Sequence, residues 1–228
     1  MEARLTRIDR LEALRYLRVQ GGTVPKELDA ALERCIRALF DRVRPRAVWR
    51  LFDREDDGNL AGADFIPAGE DIRAHLDGCR QVILMAATLG AETESLMRRT
   101  QARSMADAVI LDAAASAAIE NVCDTLCAEL AERFAPRHLT ARYSPGYGDF
   151  PLEQQAQLCR VLDVGRKIGV SLSPGGLMLP QKTVTALIGV SDRPARKFER
   201  SCSGCPQRET CVYRKDGTHC GNTRNSIA

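Results

Sequence analysis

The sequence has no long apolar run, almost no net charge and very little histidine, and each shortage excludes something. Its most apolar stretches, VILMAATLGA from Val82 and AVILDAAASAAI from Ala108, are too short to span a bilayer, and Asp112 interrupts the second. The N-terminal MEARLTRIDR is charged and amphipathic and lacks the apolar core of a secretory leader, so a cytoplasmic protein with no membrane partner is expected. Its 33 basic and 30 acidic residues are mixed along the chain and leave a net charge of +3, without the clustered basic face of a nucleic-acid binder. His75 and His138 stand alone, with no ligand pair nearby, and suit surface or capping positions. A Ser-His-Asp set, a P-loop and a dinucleotide fingerprint are absent. DREDDGN at 53–59 has the acidity of a calcium loop, but its twelfth position is Asp64 rather than glutamate, so a polar hairpin turn is expected.

What is present is a globular composition, 44% hydrophobic and 28% charged over 228 residues, enough for one large domain with an appendage. Nine cysteines are many for a cytoplasmic chain, and an odd number does not fit a closed disulfide framework. Cys35, Cys79, Cys123, Cys127 and Cys159 lie in apolar segments and read as small buried hydrophobes.

Periodicity sets the fold class. Leu5, Ile8, Leu11, Leu14 and Leu17 recur at helical spacing up to the glycine pair at 21–22, and a second helix runs from about Pro25 to Val43. AVWRLFDR alternates as a strand, a turn follows, and ADFIP resumes as a short strand, which together predict a hairpin. AGEDIRAHLDG reads as a short helix and CRQVILMAATLG as a buried central strand. A charged helix follows from Ala91. Residues 105–134 are the longest helical signal, with Leu111, Ala115, Ala118, Ile119, Val122, Leu126 and Leu130 as its apolar stripe. HLTARY, LMLP and KTVTALIGVS read as strands, and PLEQQAQLCRVL as a helix opened by Pro151. The total is a mixed α+β domain over 1–191, with N-terminal helices in 1–45, followed by a cysteine-rich segment over 192–228.

ARYSPGYGDFP at 141–151 concentrates backbone-specialised residues. Gly146 and Gly148 allow left-handed angles and close approach, while Pro145 and Pro151 stiffen the flanks. Arg142 carries a planar fork that can hold a carboxylate by two hydrogen bonds, and Tyr143 and Tyr147 offer flat faces to a purine or a cation. A ligand with a carboxylate, an aromatic base and a positive centre, such as S-adenosylmethionine, would use all of these. The alternative is a rigid turn whose arginine pairs with a structural carboxylate.

These residues resemble a known family. Arg142, Gly146, Tyr147 and Pro151 match the R-x-x-x-G-Y-P-x-x-P loop of the activation (reactivation) domain of cobalamin-dependent methionine synthase, with Gly148 where the family has proline and Asp149 and Phe150 ahead of the last proline. IGVSLSPGGLMLPQKTVTALIGVS at 168–191 is similar to that domain's IG-M-x-L-T-x-x-x-x-M-x-P-x-x-S-V-S-G segment, and ADAVILDAAASAAIENVCDTL to its long alanine-rich helix. Leu187, Ile188 and Gly189 replace an aromatic pair of the family. The resemblance implies an α+β fold with a central, mainly antiparallel sheet flanked by helices, and a groove for S-adenosylmethionine. It implies that Arg142 holds the ligand's carboxylate and Glu120 its amino or sulfonium charge. The backbone at Gly146, Tyr147, Gly148 and Asp149 would line the adenosine side. It further implies a free-standing version acting on a corrinoid-binding protein, or on a methionine synthase lacking its own activation domain, with cobalamin on that partner and a flavodoxin- or ferredoxin-type reductase as an electron source.

The C-terminal CSGCPQRETCVYRKDGTHC sets Cys202, Cys205, Cys211 and Cys220 in a polar, turn-rich segment, a set suited to zinc or an iron–sulfur cluster. His219 reads as a solvated residue. The replaced aromatic pair and this segment support an alternative: a redox activator or adaptor for a corrinoid protein that does not bind S-adenosylmethionine.

Overall fold

A computed structural model describes residues 2–19 and 24–194. The α+β class is as expected. Strands β1 (Arg46–Asp53), β2 (Gln81–Thr88), β3 (His138–Leu139) and β6 (Thr183–Ser191) form an antiparallel sheet in the order β1-β2-β6-β3. Strands β4 (Ser171–Leu172) and β5 (Met178–Leu179) pair separately.

β2 has neighbours on both edges and helices on both faces, so nearly all of it is buried. Its side chains alternate between two cores. Ile83, Met85 and Ala87 pack with Ala186 and Ile188 of β6 beneath α1 (Arg10–Tyr16), α2 (Lys26–Arg42) and α5 (Met105–Phe134). Val82, Leu84 and Ala86 pack with Leu187 beneath α3 (Glu70–His75), α6 (Gln154–Leu162) and α7 (Val164–Ile168). Burying each large side chain stabilises the fold by about 1.5–3 kcal/mol.

α5 follows α4 (Ala91–Arg103) directly; Ser104 ends one helix and caps the other, its hydroxyl accepting from Asp107 N. The expected apolar stripe of α5 is buried, and Ala113, Ala114, Ala115, Ala117 and Ala118 are buried with it. Small side chains over nearly two turns let this helix lie close on its neighbours. At its middle, Asn121 Oδ1 accepts from Thr6 N, Thr6 Oγ1 and Arg7 N at 3.0–3.1 Å. Those contacts hold residues 3–9 outside any helix, so α1 begins at Arg10 rather than at Leu5. Asp9 caps it by accepting from Leu11 N and Glu12 N.

Two other elements differ from expectation. ADFIP contributes a single bridge, Phe65 to Leu60, and not a strand, because residues 61–64 form a turn in which Asp64 takes a left-handed φ of 47°. α6 begins at Gln154, since residues 151–153 turn before the helix starts. Polar turn chemistry at 53–59 is as expected: Asp57 accepts from Asn59 N at 2.8 Å, and Gly58 has a φ of 89°. Among the described residues, no helix is long and apolar enough to cross a membrane.

Asn121→Ala should lower unfolding free energy by about 1–3 kcal/mol, because three part-buried hydrogen bonds to its Oδ1 are lost at roughly 0.5–1.5 kcal/mol each. Urea denaturation reads the loss, and amide exchange at Thr6 and Arg7 should accelerate selectively.

Candidate functional site

The candidate site starts from strand alternation. After β3 the chain stays extended beside β6: Thr140 N donates to Gly189 O, and Tyr143 and Leu187 exchange both backbone bonds at 2.8–2.9 Å. Consecutive residues in such a segment point to opposite faces. Arg142 therefore meets α5, while Tyr143 enters the other core among Val48, Phe52, Leu84 and Phe150.

On the α5 face, Arg142 Nη2 donates to Glu120 Oε2 and Nη1 to Asp124 Oδ1, each at 2.8 Å. Nη1 also lies 3.6 Å from Cys127 Sγ. Glu120, Asp124 and Cys127 share one side of the helix because they are four and three residues apart. Two of the residues singled out in the sequence, Glu120 and Arg142, are thus in direct contact. Asp124 was missed, although its i+4 spacing from Glu120 was visible. The guanidinium is mostly buried at 19% exposure, and the turn-with-structural-carboxylate alternative describes its bonding.

The other loop residues lie apart from this pair. Gly146 N donates to Phe150 O, Tyr147 N to Ser144 O, and Asp149 accepts from Glu70 N and Asp71 N at the start of α3. Among the described residues these bonds stay within the loop and α3, and none goes to Glu120 or Arg142. Tyr143 is buried against His75, with ring centroids 4.9 Å apart, and does not offer a ligand a face; Tyr147 is half exposed. His75 Nε2 lies 2.8 Å from Ala141 O, and burial lowers its pKa.

The departures from the resembled motif have steric reasons. Gly148 has a φ of 53°, which proline cannot adopt, and a Cβ there would lie 2.1 Å from Asp71 Oδ2 and 2.6 Å from the Tyr143 hydroxyl. A Cβ on Gly189 would lie 2.5 Å from Cys79 Sγ, so no aromatic side chain fits at that position. Leu187 and Ile188 are core residues on opposite faces.

A second polar cluster sits nearer the start of α5. Lys182 Nζ lies 2.8 Å from Asp112 Oδ1 and 2.9 Å from Ser116 Oγ. Asp112, Ser116, Glu120 and Asp124 therefore make a polar row at four-residue spacing on α5. On β6, Thr185 is 2% exposed and its hydroxyl has no hydrogen-bond partner among the described residues, but it shares the face of Leu187 and of its cross-strand partner Ala86, away from α5. No strand pairs with β6 on that edge at Thr185, since β3 reaches only Val190 and Ser191 and the bridge only Leu187.

The five cysteines of the apolar segments are unpaired; four are buried and Cys127 is half-buried. Burial raises the Cys123 thiol to about 12, against the opposing pull of Arg142. Among the described residues, no group of His, Cys, Asp and Glu could hold a metal ion. Cys202, Cys205, Cys211 and Cys220 lie outside the described residues.

The comparison with solved structures finds the crystal structure of the MetH reactivation domain bound to AdoHcy, at TM-score 0.57 and 18% identity, covering 87% of this chain and 79% of that one. The two share a fold. No family model matches the chain, and no curated protein does.

Two outcomes are expected here. Gly148→Ala should cost about 1–3 kcal/mol, read by urea denaturation, because the left-handed angle and the crowding act together. A raised thiol pKa keeps its contribution below the ordinary thiol value and loses it above. Stability should therefore fall between pH 9 and about 12, and Cys123→Ala should flatten that fall in a pH series of denaturation midpoints.

Proposed function

We propose that this chain is an activation-type protein that binds S-adenosylmethionine and serves a cobalamin- or corrinoid-dependent methyltransferase such as methionine synthase. The observation that carries the reading is the contact of Arg142 with Glu120 in a fold whose solved counterpart holds AdoHcy.

In this reading the roles shift from those the resemblance implied. Both ends of Arg142 already rest on carboxylates, so its part is to position Glu120 and Asp124. Those carboxylates, 29% and 40% exposed, then face the ligand's sulfonium or amino group. Attraction at about 4 Å across a half-buried seam is worth several times its value in water. The Gly146–Asp149 turn, packed on α3, is kept for the docking partner or the nucleoside end. Cobalamin belongs to the partner, a corrinoid-binding protein or a methionine synthase without its own activation domain, with a flavodoxin- or ferredoxin-type reductase supplying electrons. Cys202, Cys205, Cys211 and Cys220 would hold zinc or an iron–sulfur cluster.

A second reading has its own observation. The occupied guanidinium favours an adaptor or redox activator that docks on a corrinoid protein and takes no nucleoside.

Calorimetry separates the two. Binding of S-adenosylmethionine at one site per chain, weakened about tenfold or more in Glu120→Gln, is the expected result. No binding by the wild-type chain, together with capture of a corrinoid protein that S-adenosylmethionine does not alter, would establish the adaptor instead.

A further inference from the structure

The reading above leaves the ligand's carboxylate without a partner. Arg142 is an unsuitable one, because a third carboxylate brought to it would face Glu120 and Asp124 as like charges. The seam holds a second cation. We infer that Lys182 anchors the carboxylate of the amino-acid end, an assignment that rests on the S-adenosylmethionine reading.

Three features carry it. First, the ammonium has three N–H donors, and its two contacts, Asp112 Oδ1 and Ser116 Oγ, leave one for a ligand. Second, Lys182 is held yet reachable: its side chain is 16% exposed, while Asp112 is 50% exposed and can turn toward water. Its surroundings hold one carboxylate and one hydroxyl, where those of Arg142 hold two carboxylates. Ser116 already donates its proton to Asp112 O at 3.0 Å, so its oxygen keeps the ammonium in place without competing for the ligand.

The third feature is spacing. Ser116 and Glu120 are one helical turn apart on α5, a rise of about 6 Å. In a methionyl group the carboxylate carbon and the sulfur are four single bonds apart, about 5 Å when extended. A carboxylate at Lys182 therefore brings the sulfonium to Glu120, with one charge of the ligand on each cluster.

The test uses two ligands and two variants of the full chain. S-adenosylmethionine carries the carboxylate; decarboxylated S-adenosylmethionine keeps the sulfonium, the amine and the nucleoside and lacks only that group. Calorimetry with Lys182→Met should show S-adenosylmethionine weakened about tenfold and the decarboxylated ligand unchanged. Lys182→Arg should restore most of the difference. Equal binding of S-adenosylmethionine by wild type and Lys182→Met would overturn the anchor and leave the ligand reading intact. Equal weakening of both ligands would also overturn it, since the lysine would then be supporting the seam rather than gripping a carboxylate. If the wild-type chain binds neither ligand, the reading itself fails and the anchor falls with it.

Discussion

The structure depends on burying β2 on both faces. An interior strand eight residues long, carrying Val82 through Ala87 without an interruption, must be covered above and below. β1 and β6 satisfy its backbone along their full registers. The two helical layers then follow from what its side chains need: α1, α2 and α5 over one face, α3, α6 and α7 over the other. The alanine-rich middle of α5 serves the first of these, because bulkier residues would hold the helix away from Met85 and Ile188.

Within that frame the charged seam is a by-product of packing one long helix beside a strand that is only partly paired. α5 turns its apolar stripe to the sheet, so a polar row runs at the margin of the contact. β6 loses its strand neighbour before Leu187, so cations from the two chain segments that bracket this gap, Arg142 and Lys182, reach the row. Each finds a carboxylate there. Pairs at such partly exposed positions contribute modestly to stability, and the burial around them does more of the holding.

Much of this was legible in the sequence, for a physical reason that differs by element. α5 could be read to the residue, because a 3.6-residue apolar repeat bounded by Ser104 and Pro136 has few alternatives. β2 was legible from its unbroken apolar run. The start of α1 was not, since it is set by Asn121, more than a hundred residues away, acting on Thr6 and Arg7. The ADFIP segment failed for a local reason: its alternation fits a strand, but the left-handed φ of 47° at Asp64 breaks the extended backbone. At the site, Arg142, Glu120 and, by its i+4 spacing, Asp124 were open to local reading, whereas the contacts of Lys182 with Asp112 and Ser116 were not. Their meeting depends on how β6 lies beside α5, which no local pattern encodes. The treatment of 141–151 as one binding loop also misjudged its two faces, because it counted residue types without following the alternation at Arg142 and Tyr143.

That alternation acts as a proofreading device for the sheet. The segment 140–143 is joined to β6 by few backbone bonds, and on those alone it could slide by one position. Sliding would carry a guanidinium into the hydrocarbon layer around Phe52 and Phe150 and push a phenol ring out among acidic groups. No neighbouring frame is tolerable, so a short and sparsely bonded edge keeps a single alignment through the opposed characters of two adjacent side chains.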